Sequence, residues 1–495
     1  STSTLRLWMG KTKKPKSNEP SKKEKSAIGA LAALVDKQQA EEGKNPTVST
    51  LLQNNSDLQK PLNEVIVHQA EPLQIKEKTV QEKKEKFAAF GKWLQLHAPE
   101  SFYNDRFRFD VSVEEGTGVV AEQDLPVDKH FMSIPRSVML STETMAKSPV
   151  GSVLAGDRLC QNMPSLALAV HLYFEVTNPQ SFWRPYLDIL PASFSLPLYF
   201  NTQQLELLQG SSTQLEALKL QKATVRQYLH LHKLLLKSAG NLGLPPFHFL
   251  LFRWCVSIIM TRQNRIPSKS DPANMAIALI PGWDCCNHRS GKMATFFNPD
   301  ADASESFTME EVKRGQPIYL YYGDRSNAKL FMYMGFVHSG NANDSLDLVF
   351  GLKQDDPLTK LKQLMVMQRK LGSFSLPVPE GEAAARASAL AVMLRVACLD
   401  KEQATAVLKG TSDPGEPVSA ANEEKAWEYL QEVLSNKLQT YAAEAGGDEN
   451  TANEGKQGDT DSTAFADLAR QMVACEKKLI TDAIARCEEL KKLPQ

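Results

Sequence analysis

Three kinds of feature are scarce or missing in this chain, and each absence narrows what it can be. The seven cysteines, Cys160, Cys255, Cys285, Cys286, Cys398, Cys475 and Cys487, are odd in number and nowhere spaced C-x2-C. That pattern argues against a zinc site or a disulfide framework and fits free thiols in a reducing compartment. No stretch reaches the ~20 consecutive apolar residues that span a bilayer. The longest candidate, Phe247 to Met260, is interrupted by Arg253, so no integral membrane protein is expected. Nor does one sign of charge dominate: 57 basic residues meet 58 acidic ones, a net charge of -1. With no global basic field to hold nucleic acid or an anionic membrane surface, partners must be recognised locally.

What remains is a chain of 495 residues with 42% hydrophobic content, enough to bury a sizeable core in two or three domains. Residues 1–80 are rich in Lys, Glu, Gln, Ser and Asn with few aromatics, a composition that predicts a disordered tail. Within it, Ile28, Leu31, Leu34 and Val35 fall at helical spacing, so a short transient or partner-bound helix over 27–40 is compatible with it. The run Lys11-Thr12-Lys13-Lys14-Pro15-Lys16 resembles a nuclear-import patch or is simply solvated tail charge. The cytoplasm is the expected location, with the nucleus as a second compartment.

An amphipathic helix is predicted over 83–96 from Phe87, Phe90, Trp93 and Leu94. Strands are predicted over 109–113, 119–121 and 130–135, with a turn at 115–118. Long apolar periodicity over 166–175, 214–236 and 246–262 marks a helical block inserted between strands. A second β segment is expected over 276–336, and helices from about 355 to the end, interrupted by a polar loop over 442–462. The resulting expectation is an α+β chain divided into a tail (1–80), a first β part (81–150), a helical insert (151–265), a second β part (266–340) and a helical C-terminal domain (345–495). No internal repeat is visible.

Four segments stand out chemically. Glu114-Glu115-Gly116-Thr117-Gly118 lies between predicted strands and so lacks the helix N-terminus of a dinucleotide fingerprint. It reads either as a tight hairpin or as backbone that a ligand approaches closely. Met260 to Pro267 gathers polar side chains where a helical pattern ends. Asp284-Cys285-Cys286-Asn287-His288 follows an apolar run, and Tyr321-Tyr322-Gly323-Asp324-Arg325-Ser326-Asn327 comes some thirty residues later. Taken singly, each is compatible with a core strand and a polar loop, and the adjacent thiols of Cys285 and Cys286 look like packing residues.

Taken in order, E-E-G-x-G, an arginine closing the insert, D-x-x-N-H and Y-Y-G-x-R-S-N resemble the SET methyltransferases. The likeness is to the subfamily with a helical insert and a Rubisco-methyltransferase-like helical C-terminal domain. It covers about residues 85–495 and is strongest over 114–336. It implies a SET fold with a pseudoknot formed by the segments carrying Asn287-His288 and Tyr322, and S-adenosylmethionine as cofactor. It further implies cofactor contacts from Arg262, Asp284, Asn287, His288, Tyr322 and the backbone near Phe131, no metal, and Tyr322 at the channel through which the methyl passes. The zinc-binding cysteine cluster found in other members is missing here.

The acceptor is suggested by two positions. In lysine-directed members an aromatic residue stands at the place of Asn264 and a small one at that of Trp283. Here they are Asn and Trp, as in the histidine-directed branch that modifies actin. A neutral imidazole suits such a site, because a lysine of pKa ~10.4 must first lose a proton at a cost of roughly 4 to 5 kcal/mol at pH 7. The Asn264 amide is expected to orient the ring and Trp283 to wall the pocket. By the same resemblance Arg325, Arg226, Gln227, Met293 and Phe297 contact a substrate peptide, although each is equally compatible with ordinary surface or core. Met293 and Phe297 stand where that branch has a smaller aliphatic and a tyrosine. The expectation is therefore a monomeric enzyme methylating a protein histidine, with actin as substrate. A lysine methyltransferase of the same fold and a catalytically silent SET-fold binding protein are the alternatives.

Overall fold

The computed structural model describes residues 20–43, 46–69, 75–242, 244–348, 351–353, 355–372, 374–441 and 460–491. Short strands form three small sheets around the region of the motifs. The first has β1 (Phe107–Asp110), β2 (Gly118–Ala121), β10 (Pro317–Leu320) and β7 (Asn287–His288) side by side. The second orders β3 (His130–Pro135), β9 (Ala303–Phe307) and β8 (Thr295–Asn298), and the third orders β4 (Leu140–Ser141), β6 (Met275–Leu279) and β5 (Asn264–Pro267). The pairing that matters most for the site is parallel: Tyr319 lies opposite Asn287 and Leu320 opposite His288. It sets the two motif segments, some thirty residues apart in the chain, against each other.

Strand β1 stops earlier than the alternation predicts. The Asp110 carboxylate accepts hydrogen bonds from the Ser112 hydroxyl and amide and from Arg108, closing a local turn where the strand was expected to run on to residue 113. The Ser112 hydroxyl, with Arg108, holds Asp110 down to a pKa of about 2. The expected β segment over 276–336 also ends early, because Asn327–Met334 is a helix. Ser326 caps its N-terminus, and Gly335, at φ 79°, takes the left-handed conformation that ends helices.

The insert is helical, dominated by Pro164–Thr177, Ser212–Leu242 and Phe249–Arg262. A larger correction concerns the N-terminal tail. Residues 22–41 and 48–68, read from composition as disordered apart from a short helix, form two full helices. Leu31, Val35, Leu58, Leu62 and Val65 of these helices join the core of the strands and insert. Gln69, just beyond them, donates to the Tyr228 hydroxyl and accepts from the Phe249 amide. A sparse apolar stripe is enough to order a helix once distant residues cover it, and average composition does not register this.

The C-terminal part has its own core around Trp427, Leu430 and Leu434. Its helices are interrupted by β12 (Phe374–Leu376), which pairs with β11 (Leu346–Leu348). Glu423, fully buried, accepts hydrogen bonds from Arg386, Arg395 and Trp427, a charged network that is costly to break one member at a time. The polar loop expected over 442–462 falls largely outside the described residues. No helix among the described residues is long and apolar enough to cross a membrane.

Candidate active site

Helix Phe249–Arg262 delivers Arg262 to the strands at its last turn. The Arg262 Nη1 donates to the Asp284 carbonyl at 2.5 Å, and the Tyr186 hydroxyl donates to Asp284 Oδ2 at 2.5 Å. Burial pushes the Asp284 carboxyl above its usual range against the pull of the Arg262 charge. These residues line one side of a cavity of about 410 Å³ whose other walls include Glu115, Gly116, Thr117, Cys285, Asn287 and Tyr322.

The glycine loop comes close because it has no side chains in the way. A Cβ on Gly118 would lie 2.9 Å from Val113 and 3.1 Å from the Asn287 amide, which donates to the Thr117 carbonyl at 3.0 Å. Gly116 sits at φ 96°, a conformation that favours glycine. Both readings of this loop hold: it is the hairpin connection of the antiparallel pair β1 and β2, and its backbone also lines the cavity.

Tyr322 is where the two motif segments are tied together. Its hydroxyl donates to the Cys286 carbonyl at 2.6 Å, and its amide donates to His288 Nδ1 at 3.3 Å. His288 must therefore carry a lone pair on Nδ1 and be neutral. Burial, aided by the nearby His338, lowers its pKa. Burial also raises the pKa of the Tyr322 phenol, keeping it protonated as a donor. The thiols of Cys285 and Cys286 are likewise pushed up by burial, which disfavours the reactive thiolate.

Comparison with known proteins meets this geometry. Residues 353–480 match the Rubisco LSMT substrate-binding family. The chain is 31% identical over 404 residues to an actin-histidine N-methyltransferase of Xenopus tropicalis, covering 79% of this chain and 68% of that protein. The chain belongs to this family. The human protein of the same name is 33% identical over 343 residues, covering 66% of this chain and 57% of the relative. The chain thus spans between about half and two thirds of the length of such curated relatives. Among solved structures, the SET domain of LSMT bound to lysine and AdoHcy superposes with a TM-score of 0.62 at 20% identity, over 82% of this chain and 91% of that one. Rubisco LSMT bound to AdoMet gives 0.61 at 19%, over 82% and 92%. The fold is the SET fold, α+β as expected.

Against this family background the other predicted positions separate into two groups. Arg262, Asp284, Asn287 and Tyr322 share the cavity, and the His288 ring packs 5.0 Å from that of Tyr322. The Phe131 side chain lies outside the cavity lining, completely buried and edge-on to Phe107, 6.3 Å away; the contact expected there is through the backbone. On the other side, the Trp283 ring lies 6.5 Å from that of Tyr322, and its Nε1 donates to Thr295 Oγ1 at 3.1 Å. Met293, exposed, approaches the position of a Cβ on Gly323 to within 3.8 Å. Arg325 donates to the Tyr322 carbonyl at 3.0 Å, and the Arg136 guanidinium covers the Phe297 ring at 4.7 Å.

Asn264 opens β5, its amide donating to the Arg262 carbonyl over a long 3.4 Å. The Ser165 hydroxyl donates to the neighbouring Gln263 side chain at 2.6 Å, and Gln227 reaches Met163 Sδ at 3.8 Å. Arg226, beside Gln227, is exposed.

The motifs do not reveal a third wall of the cavity, made by Glu77, Lys78, Lys83 and Lys86 facing Asp188 and Ser193. Ser193 donates to Glu77 at 2.6 Å and Lys86 pairs with Asp188 at 2.8 Å. Burial lowers the pKa of Lys78. Only the amphipathic pattern beginning at Lys83 hints at this wall in the sequence.

Proposed function

We propose that this chain transfers a methyl group from S-adenosylmethionine to an imidazole nitrogen, the tele one, of a histidine in a protein substrate, and that the substrate is actin. The observation that carries the reading is the position of Tyr322 at the edge of the cavity, with Trp283 beside it and its own ring clamped to the Cys286 carbonyl.

The residues present fit the cofactor. The cavity volume of about 410 Å³ lies in the range of small-molecule sites. Arg262 Nε is buried without a hydrogen-bond partner among the described residues, a state that a bound polar group would relieve. Arg262 and Lys78 suit a carboxylate, and Glu77 and Glu115 an ammonium group, so the cavity offers both signs that an amino-acid moiety presents. Bound there, the cofactor supplies an electrophilic sulfonium methyl.

The chain's own task is positioning and exclusion of water. Asn264 Oδ1 accepts a hydrogen bond from the N–H of one imidazole nitrogen and so turns the lone pair of the other toward the channel. Trp283 bounds the ring, and the Tyr322 hydroxyl, held by Cys286, narrows the passage. Because an imidazole of ordinary pKa ~6.5 is mostly neutral at pH 7, no lysine-like deprotonation is required. A monomer acting in the cytoplasm, with the nucleus as a second compartment, completes the reading.

The test is incubation with unmethylated actin and labelled cofactor, followed by mass spectrometry to locate the added 14 Da on the order of one methyl. Label on a histidine supports the reading. Label only on lysine makes the chain a lysine methyltransferase, and cofactor binding without transfer to any protein makes it a silent binding module.

A further inference from the structure

The 31-residue helix Ser212–Leu242 holds one acidic residue, Glu216, among several basic ones. At 100° per residue, Lys219, Arg226, His230, Lys233 and Lys237 fall within an arc of about 60° and extend over about 27 Å. All five are exposed. His230 pairs with Asp157 at 2.7 Å. Lys219, Arg226, Lys233 and Lys237 have no carboxylate partner among the described residues, in a protein whose other basic residues make many ion pairs. A helical stripe of unpaired like charge is self-repelling, and in a chain of net charge -1 it is a local feature rather than a reflection of composition.

The stripe also has a direction. Gln227, next to Arg226, touches Met163; two residues on, Ser165 is bonded to Gln263; and Gln263 precedes Asn264. A continuous path of partly or fully exposed side chains therefore leads from the acceptor side of the active site to the basic stripe.

We infer that the exposed face of helix Ser212–Leu242 binds an acidic stretch of the protein substrate that lies outside the residues entering the active site. The inference rests on the proposed protein-methylating activity. The chemistry required of the partner is a run of carboxylates on a surface or strand long enough to follow the helix for several turns. Interactions of this kind raise encounter rate and affinity while leaving the chemical step untouched, and they weaken with salt.

The test compares wild type with Lys233→Glu/Lys237→Glu, and uses Lys84→Glu/Lys92→Glu, the same charge change on exposed positions elsewhere, as the control. With actin as substrate, KM in the stripe variant is expected to rise roughly tenfold with kcat little affected, and its dependence on salt to flatten. The control stays within twofold of wild type. Binding of fluorescent poly-L-glutamate, which requires no methyl transfer, is expected to be lost in the stripe variant and kept in the control. Equal KM values for the two variants, equal poly-L-glutamate binding, or a preference of the wild-type stripe for duplex RNA over poly-L-glutamate overturns the inference. If no protein histidine is methylated at all, the functional reading fails, and the poly-L-glutamate measurement still decides whether the stripe takes carboxylates.

Discussion

On the cavity side of the site the Asp284 carboxylate, the Tyr186 hydroxyl and the Arg262 guanidinium are joined to each other or to backbone, with Asp284 and Tyr186 almost fully buried. On the side proposed for the acceptor Asn264 has one long hydrogen bond, Met293 is 61% exposed and Arg226 is exposed without a carboxylate partner among the described residues. The same few strands support both. One half is assembled before any ligand arrives, its polar groups joined by the protein itself except for the buried Arg262 Nε, which is left for the ligand. The other leaves its polar and apolar groups to be completed by what binds. A small, invariant ligand can be met by a rigid shell, whereas a folded protein substrate supplies part of its own enclosure.

The contrast is broken most severely by Asp284→Ala. This leaves the buried Tyr186 hydroxyl without its acceptor and the Arg262 charge uncompensated, and a loss of about 3 to 5 kcal/mol in unfolding free energy is expected from denaturant titration. Arg226→Ala, on the open side, is expected to leave the same titration within about 0.5 kcal/mol.

Tyr322→Phe acts at the border between the halves. Removing the bond to the Cys286 carbonyl is expected to lower kcat by about ten- to a hundredfold, the equivalent of roughly 1.4 to 2.7 kcal/mol, in single-turnover measurements. Cofactor affinity, measured by calorimetry, should change far less. A parallel loss of affinity would assign the hydroxyl to the cavity side alone.

Asn264→Ala tests the open side directly. About a tenfold fall in kcat/KM for a histidine substrate is expected from the lost hydrogen bond. Asn264→Phe should depress histidine transfer further and admit a lysine acceptor, and unchanged histidine methylation in either variant would remove the orienting role.

The gentlest discrimination is by pH. Protonating His288 converts Nδ1 from acceptor to donor and breaks its bond with the Tyr322 amide. Since burial lowers the His288 pKa, the neutral form persists below pH 6.5, and cofactor binding should decline only at more acidic pH. Methyl transfer should already fall near pH 6.5, where the substrate imidazole gains its proton. Coincident acid limbs would mean that one group governs both halves.

Much of the preassembled half was legible because its chemistry is local. Asp284, Asn287, Tyr322 and the glycine loop announce themselves by residue type and order, and Gly118 is required where a Cβ would collide. The contact expected at Phe131 is through its backbone, and β3 is buried on both faces over 131–134, so the side-chain pattern of the strand carries no signal for it. The wall of Glu77 and Lys78 carries no motif at all, since a lysine facing a cavity looks the same in sequence as one facing water. The charged stripe over 219–237 was hidden by an overall charge balance that averages over the whole surface.

The sequence by itself determined the SET motifs, the order of strands, insert and helical C-terminal part, and the residue types at positions 264 and 283, because these follow from short-range pattern and chemistry. Tertiary structure decided that residues 22–68 are helical and that β7 lies parallel to β10. It also decided that Arg262, Asp284 and Tyr186, which come from three separate segments, share one buried network. Each of these depends on surface covered or polar groups satisfied by residues far away in the chain, and that energy is absent until the chain has folded.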